Sequence, residues 1–524
     1  MQATTSPLAH MCQFFDRYRL CAVAAAFAIA AIGLFQTAAA PAPAMPPQLD
    51  AYIAKAVRDW NVPGLAIVIV KDDTVVAAKG YGVRRLGRPE RVDGQTIFDI
   101  ASLTKSFTAA GAAVLVDEGR LAWDDRVEDK LPAVSFGDSC LGQAVTLRDL
   151  LSHRTGLEPA NSLFVFFHYD RAELLHRVRF LPAKRPFRTS MLYSNILYTV
   201  AGELTGAVAG TTWADLIRHR ILEPAGMTST TVETRPTGPN VASPHALIGG
   251  AQEPIPPGDF IMIGPAASIY TNAEDLARWL RLQLGDGTLD GKQIISRASM
   301  IEMHSPQIII QTTPEQRQAR LVEHFGAYGL GWQVMDYRGA PLLWHTGNGD
   351  GMPCYMALLP KQKLGIAVMM NTWAAGYLHT AIANKIQDTY LSAPDRDWSG
   401  ELLTRHREAL RKEIADRDSL AARRKTPIKS SHALQDYAGD YQAELWGDIH
   451  VRLEGKALHL RLAHGASGSL TPWGDDSFLV SWDDRVLREL FYDTVAEFGI
   501  DSDGKVSKFQ VTLNRDQVEA TRHQ

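Results

Sequence analysis

Leu49, Ile53 and Val57 recur at helical spacing, and Pro63-Gly64 ends that segment. Leu65 to Val70 is an unbroken apolar run rich in β-branched residues. Asp72-Asp73 then turns the chain and Thr74 to Lys79 returns, which predicts a hairpin with one fully buried strand. Ser102 to Glu118 is dense in Ala, Leu and Val with Gly119 just past its end, the pattern of a buried helix. Residues 120–300 read as helical fragments and loops, among them Trp213 to Leu222 and Ala273 to Gln283. Short apolar strands return at Tyr328 to Met335, Leu342 to His345, Cys354 to Leu359 and Leu364 to Met370, and Ile382 to Tyr390 predicts a closing helix. Strands from both ends of a region, with helices inserted between, predict an α/β (α+β) plan: an antiparallel sheet flanked by helices, plus a helical subdomain and one cleft.

The pattern changes twice more. From Ser392 to about Lys429 charged residues surround Leu402, Leu403, Leu410, Ile414 and Leu420, predicting a connecting helix and then a Lys-Thr-Pro linker. Beyond Leu434 the period becomes two: Ile449, Val451 and Leu453, a turn at Glu454-Gly455-Lys456, then Leu458, Leu460 and Leu462. With further strands near Phe478, Glu489 and Val506, this predicts a separate C-terminal all-β antiparallel barrel.

At the other end, Arg17 and Arg19 precede an apolar run from Leu20 to Phe35 and the small residues Thr37 to Ala40, the pattern of a secretory signal. The run is short for a membrane-spanning helix, and an uncleaved anchor is the alternative to a cleaved signal. The organisation expected is therefore a signal peptide over 1–44, an α/β domain over 45–391, a helical linker over 392–429 and the barrel over 430–524. A secreted or periplasmic location, with no membrane span after cleavage, follows as an expectation. Of four cysteines, Cys140 and Cys354 lie beyond the signal, too few for a disulfide scaffold.

Across 524 residues, 46% hydrophobic, 21% charged and a formal charge of -4 describe ordinary globular composition. With both signs dispersed and no basic stripe, nucleic acid is not an expected partner. No zinc-spaced Cys/His cluster or phosphate-binding glycine loop is present, and no metal or organic cofactor is called for.

The chemistry sits in Phe98-Asp99-Ile100-Ala101-Ser102-Leu103-Thr104-Lys105. A serine at the first turn of a helix shares a face with a lysine three residues on. The helix N-terminus favours developing negative charge, and an apolar setting disfavours the ammonium, freeing lysine to act as a base. Alone this spacing is weak, since about one match is expected by chance in such a chain; Ser502-Asp503-Gly504-Lys505 repeats it in what reads as a plain β-turn. Two further elements change the weighing: Tyr193-Ser194-Asn195 before the helical Ile196 to Leu204, and His345-Thr346-Gly347 at the end of an apolar strand.

In this order and spacing the three elements resemble the serine β-lactamase and penicillin-binding protein superfamily, in particular the branch of class C β-lactamases, D-aminopeptidases, DD-carboxypeptidases and related esterases. Thr96-Ile97-Phe98 and Leu147 to Leu157 (LRDLLSHRTGL) are similar as well, and the tail opening at Tyr437-Ala438-Gly439-Asp440-Tyr441 resembles an appended lipocalin-like domain. The resemblance implies Ser102 as nucleophile and Lys105 and Tyr193 as proton-transfer partners. Asn195 would hold Lys105 and the substrate amide, the N–H groups of Ser102 and Asn348 would form the oxyanion hole, and His345, Thr346 and Gly347 would line the substrate-holding strand edge. Penicillin-directed members usually carry lysine where His345 stands. A neutral imidazole there implies an esterase or D-amino-acid peptidase acting on a small-molecule or peptide ester or amide. A β-lactamase or DD-carboxypeptidase is the alternative within the enzyme class, and a non-catalytic penicillin-binding or assembly protein the alternative outside it. His153 and Arg154 read as helix-end structural residues, because the turn glycine Gly156 follows.

Overall fold

A computed structural model describes residues 44–313, 324–424 and 428–523. The expected signal segment and the Lys-Thr-Pro linker fall outside the described residues, apart from Ala44.

Helix α1 (Pro47–Asp59) leads into β1 (Gly64–Lys71) and β2 (Thr74–Gly82). Helix α2 (Thr104–Asp117) follows Ser102, α3 (Ser162–Phe166) and α4 (Asn195–Ala209) belong to the inserted helical region, and α5 (Ala273–Leu284) returns to the sheet. Strands β3 (Ile308–Ile310), β4 (Gly326–Tyr328), β5 (Gln333–Tyr337), β6 (Ala340–Gly349), β7 (Met352–Leu359) and β8 (Leu364–Met370) complete an antiparallel sheet of order β3-β4-β5-β6-β7-β8-β1-β2. Helix α6 (Leu378–Tyr390) closes the domain.

The apolar run of β1 is continuous because both faces are covered. Leu65, Ile67 and Ile69 enter a core with α1 and α6, including Ile53 and Ile382, whereas Ala66, Val68 and Val70 enter the core that holds Phe107 of α2 and Trp279 of α5. Helix α2 lies in that second core, with every residue from Thr104 to Leu115 buried. Apolar surface around its full circumference is what a central helix requires.

The strand expected from Tyr328 to Met335 is divided. Gly331 adopts φ +82° and passes so close to α2 that a Cβ there would stand 2.8 Å from the Lys105 carbonyl oxygen. Glycine is the residue that fits.

A long helix, α7 (Trp398–Arg424), buries Trp398 against α6, with its indole N–H donating to Asp388 at 2.8 Å. Eight strands then close a barrel: β9 (Gly439–Ala443), β10 (Gly447–Glu454), β11 (Ala457–Leu462), β12 (Ser467–Pro472), β13 (Ser477–Trp482), β14 (Val495–Ile500), β15 (Val506–Leu513) and β16 (Asp516–Arg522). The strand expected near Glu489 is instead a short helix, Arg485–Leu490, because the Asp484 carboxylate caps it by accepting from the Val486 and Leu487 amides, both at 2.8 Å. Tyr437, Tyr441, Phe478, Phe498 and Phe509 meet in contacting ring pairs inside the barrel. The barrel's apolar interior is continuous with the core of the preceding domain through Phe166 and Phe167. Cys140 and Cys354 are both free thiols. Among the described residues no helix is long and apolar enough to cross a membrane.

Candidate active site

Ser102 sits in a 3₁₀ turn, Ala101–Leu103, that leads directly into α2 rather than inside the helix itself. The turn is built under strain: Ala101 has φ +41°, an uncommon value for a residue with a Cβ. Asp99 fixes it by accepting from the Ala101 amide at 2.7 Å, and the Cys354 thiol donates to the Ile100 carbonyl at 3.2 Å. Strand β6 presses against this turn; a Cβ on Gly347 would lie 2.3 Å from the Ile100 carbonyl oxygen. Glycine at 347 thus permits the third sequence element to touch the first.

One helical turn on, Lys105 is fully buried. Its Nζ lies 3.0 Å from Ser102 Oγ, 2.7 Å from Asn195 Oδ1 and 3.0 Å from the Ala266 carbonyl oxygen. No carboxylate stands among these partners, and burial drives the ammonium pKa well below its ordinary value. The rings of Tyr193 and Tyr198 flank Nζ, with centroids at 4.7 and 5.4 Å.

Tyr193 precedes α4, whose N-cap is Ser194, accepting from Leu197 N–H at 3.2 Å; Asn195 is the first helical residue. Burial raises the pKa of the Tyr193 hydroxyl, and the nearby Ser102 hydroxyl opposes that shift more weakly. Asn161, which the sequence elements do not include, clamps this turn. Its amide donates to the Tyr193 carbonyl at 3.3 Å, and its Oδ1 accepts from the Asn195 backbone and side-chain amides at 3.1 and 3.2 Å. The chain of donors is self-consistent. Because the Tyr193 carbonyl only accepts, Asn161 must turn Oδ1 toward Asn195, and Asn195 must turn Oδ1 toward Lys105.

His345 is 2% exposed, and both of its ring nitrogens are engaged. Nδ1 lies 2.6 Å from the Thr346 carbonyl oxygen, so Nδ1 carries the proton; Nε2 then accepts from the Tyr328 hydroxyl at 3.0 Å. Burial, with Lys105 nearby, pushes its pKa down to about 3. The imidazole therefore stands behind the strand edge and offers no nitrogen to a substrate, in contrast to the expectation that it lines that edge. Thr346 is partly exposed, Gly347 is buried, and Asn348 is exposed, its Oδ1 accepting from the Trp373 indole at 2.7 Å.

His153 is fully buried beneath Tyr193, with ring centroids 4.4 Å apart, and accepts from Ser194 N–H at Nδ1, 3.2 Å. Arg154 donates to Asp149 and to the Gln307 carbonyl. Both support the site from within. Ser502 and Lys505 occupy an exposed turn, closed by Asp501 N–H donating to the Lys505 carbonyl at 2.9 Å.

Sequence reasoning missed Asn161, Tyr198 and Tyr328. Tyr198, whose hydroxyl donates to the Lys105 carbonyl at 2.9 Å, lies five residues after Tyr193, which is a signal in hindsight. Asn161 and Tyr328 act from loops and strands distant in sequence, with no local signature.

The β-lactamase family model matches residues 49–387. The chain belongs to the β-lactamase family. A second model, a domain of unknown function (DUF3471), matches residues 423–522 and so covers the barrel. The unguisins hydrolase UngD of Aspergillus violaceofuscus is 28% identical over 386 residues, 66% of this chain and 65% of that protein. Penicillin-binding protein 4 of Amycolatopsis lactamdurans is 27% identical over 338 residues, 63% of this chain and 86% of its own. Among solved structures, the octameric penicillin-binding protein homologue from Pyrococcus abyssi covers 90% of this chain and 99% of its own with TM-score 0.58 at 24% identity, a likeness of fold. Membership of this β-lactamase and penicillin-binding family supports a serine hydrolase.

Proposed function

We propose that the protein cleaves an ester or amide through a Ser102 acyl-enzyme, as an esterase or D-amino-acid peptidase. The observation that carries this reading is the set of partners around Lys105. A neutral amine has two hydrogens and one lone pair. Asn195 Oδ1 and the Ala266 carbonyl can only accept, so they take both hydrogens, and the lone pair is left facing the Ser102 hydroxyl. Burial disfavours the ammonium and pulls its pKa well below the ordinary lysine value, which favours the neutral amine as base.

The reaction balances as follows. The Ser102 proton passes to Lys105 Nζ as the Oγ–carbon bond forms, and the oxyanion is held by the N–H groups of Ser102 and Asn348. The carbon–leaving-group bond breaks as the Tyr193 hydroxyl delivers a proton to the leaving group, and the Lys105 ammonium replenishes Tyr193. Water then repeats the sequence on the acyl-enzyme, giving up its proton to the Lys105 and Tyr193 pair and returning the Ser102 hydroxyl. A neutral, enclosed His345 places no cation beside a substrate carboxylate, which supports uncharged esters and amides over penicillins. The likeness to penicillin-binding protein 4 supports the β-lactamase or DD-carboxypeptidase reading instead. The signal-like residues 1–44 support export of the mature enzyme. A panel of p-nitrophenyl esters, D-amino-acid amides and nitrocefin separates the readings. Ester or D-amide turnover, lost in Ser102→Ala, supports the first, and nitrocefin turnover without either supports the second.

A further inference from the structure

Asn161 and Ser162 share a peptide bond but belong to two different networks. Asn161 reaches inward to the Tyr193 carbonyl and to Asn195, which holds Lys105. Ser162, fully buried, reaches outward into the barrel. Its amide donates to Asp516 Oδ2 at 2.7 Å and its hydroxyl to the Leu513 carbonyl at 2.7 Å. Asp516 is 5% exposed at the start of β16, across the tight turn at Asn514 and Arg515 from the end of β15.

The other end of α3 is held by the barrel as well. The Phe166 carbonyl accepts from the Ala466 amide at 2.7 Å, its ring meets Trp482 and Phe491, and the Tyr169 hydroxyl donates to the Trp446 carbonyl at 2.9 Å. The approach is so close that a Cβ on Gly465 would stand 1.9 Å from the Phe166 carbonyl oxygen. Just before Asn161, Ala160 is held at φ +46°, a backbone state that persists only where its surroundings impose it.

We propose that the barrel is a positioning domain of the hydrolase, acting through the Asp516–Ser162 hydrogen bond on Asn161, and through Asn161 on Asn195 and Lys105. Asp516 and Ser162 are positioning residues; neither touches the reacting atoms. The inference rests on the reading of Ser102 and Lys105 as the catalytic pair. A carboxamide at 516 keeps an oxygen that accepts from Ser162, whereas alanine leaves two buried donors with one acceptor between them.

The test compares full-length wild type with Asp516→Ala, Asp516→Asn, Val480→Ala and Ser102→Ala, measuring kcat and KM on the best p-nitrophenyl ester well below each Tm. Val480→Ala loosens the barrel core on β13, a strand that pairs with neither β15 nor β16. Misplacement by about 1 Å costs ~10²-fold, so Asp516→Ala should lose about 10- to 100-fold in kcat, with KM changed by less than about threefold. Asp516→Asn should restore kcat, and Val480→Ala should lower Tm while keeping it. Turnover lost in Ser102→Ala but kept in Asp516→Ala would overturn the relay alone, as would an equal kcat loss in Val480→Ala. Turnover that survives Ser102→Ala would overturn the reading of the site itself.

Discussion

Lys105 Nζ stands 3.0 Å from Ser102 Oγ while two oxygens that can only accept, Asn195 Oδ1 and the Ala266 carbonyl, occupy its other directions. In the neutral amine that arrangement leaves the lone pair toward Ser102, and it gives the pH dependence a sign. Below the Lys105 pKa the lone pair is protonated and the rate is lost as pH falls; above it the rate is present. We expect kcat/KM to rise with pH through an apparent pKa well below lysine's ordinary ~10.4. Lys105→Met and Tyr193→Phe should each lower kcat by ~10²–10⁴-fold, with smaller effects on KM. An acid limb near the ordinary lysine value, or near wild-type kcat in either variant, would rule out this proton path.

His345 should act by holding rather than by titrating. With its pKa near 3, it stays neutral across the working range. His345→Gln retains a donor for the Thr346 carbonyl and an acceptor for the Tyr328 hydroxyl, so ester turnover should fall by no more than about tenfold. His345→Leu leaves the buried hydroxyl unpaired and should destabilise the fold by about 1–3 kcal/mol. Equal melting temperatures for the two variants would contradict these contacts.

Asp99 carries a second pH signature, in stability. Burial, with Asp350 nearby, raises its pKa to about 7, against ~3.9 for an unfolded aspartate. The native state therefore binds the proton more tightly. The stability linked to it is complete below about pH 4 and is lost progressively as pH rises to about 7. Asp99→Asn still accepts from the Ala101 amide and has no charge to bury, so its Tm relative to wild type should be higher at pH 8 than at pH 5. A Tm difference independent of pH would show that Asp99 ionises freely in the native state.

The sequence made legible what is local. Ser102 and Lys105 lie one helical turn apart, and Tyr193 and Asn195 flank a helix cap, so spacing alone brings each pair to one face. The alternation of β1 between two cores was likewise implied by an apolar run with no polar break. What the sequence left open was set by tertiary partners. The inward turn of His345 follows from its bonds to Tyr328 and to the Thr346 carbonyl. Asn161 has meaning only because the chain folds it against Tyr193 and Asn195. Near Glu489 a helix stands where the sequence predicts a strand, because the Asp484 cap outweighs a short apolar pattern. The period-two tail forms the separate barrel it predicts, fully closed, and what the sequence does not show is that Trp482, Phe491 and Trp446 of the tail pack on Phe166 and Phe167.

The central claim is that Ser102 is the acylated nucleophile. Its most direct test is intact-protein and peptide mass spectrometry after brief exposure to a fluorophosphonate and, separately, to a slowly released p-nitrophenyl ester. One adduct per chain, mapping to the peptide that carries Ser102 and absent in a folded Ser102→Ala protein, is the expected result. An adduct that persists in Ser102→Ala, or ester turnover by wild type with Ser102 never modified, would contradict it.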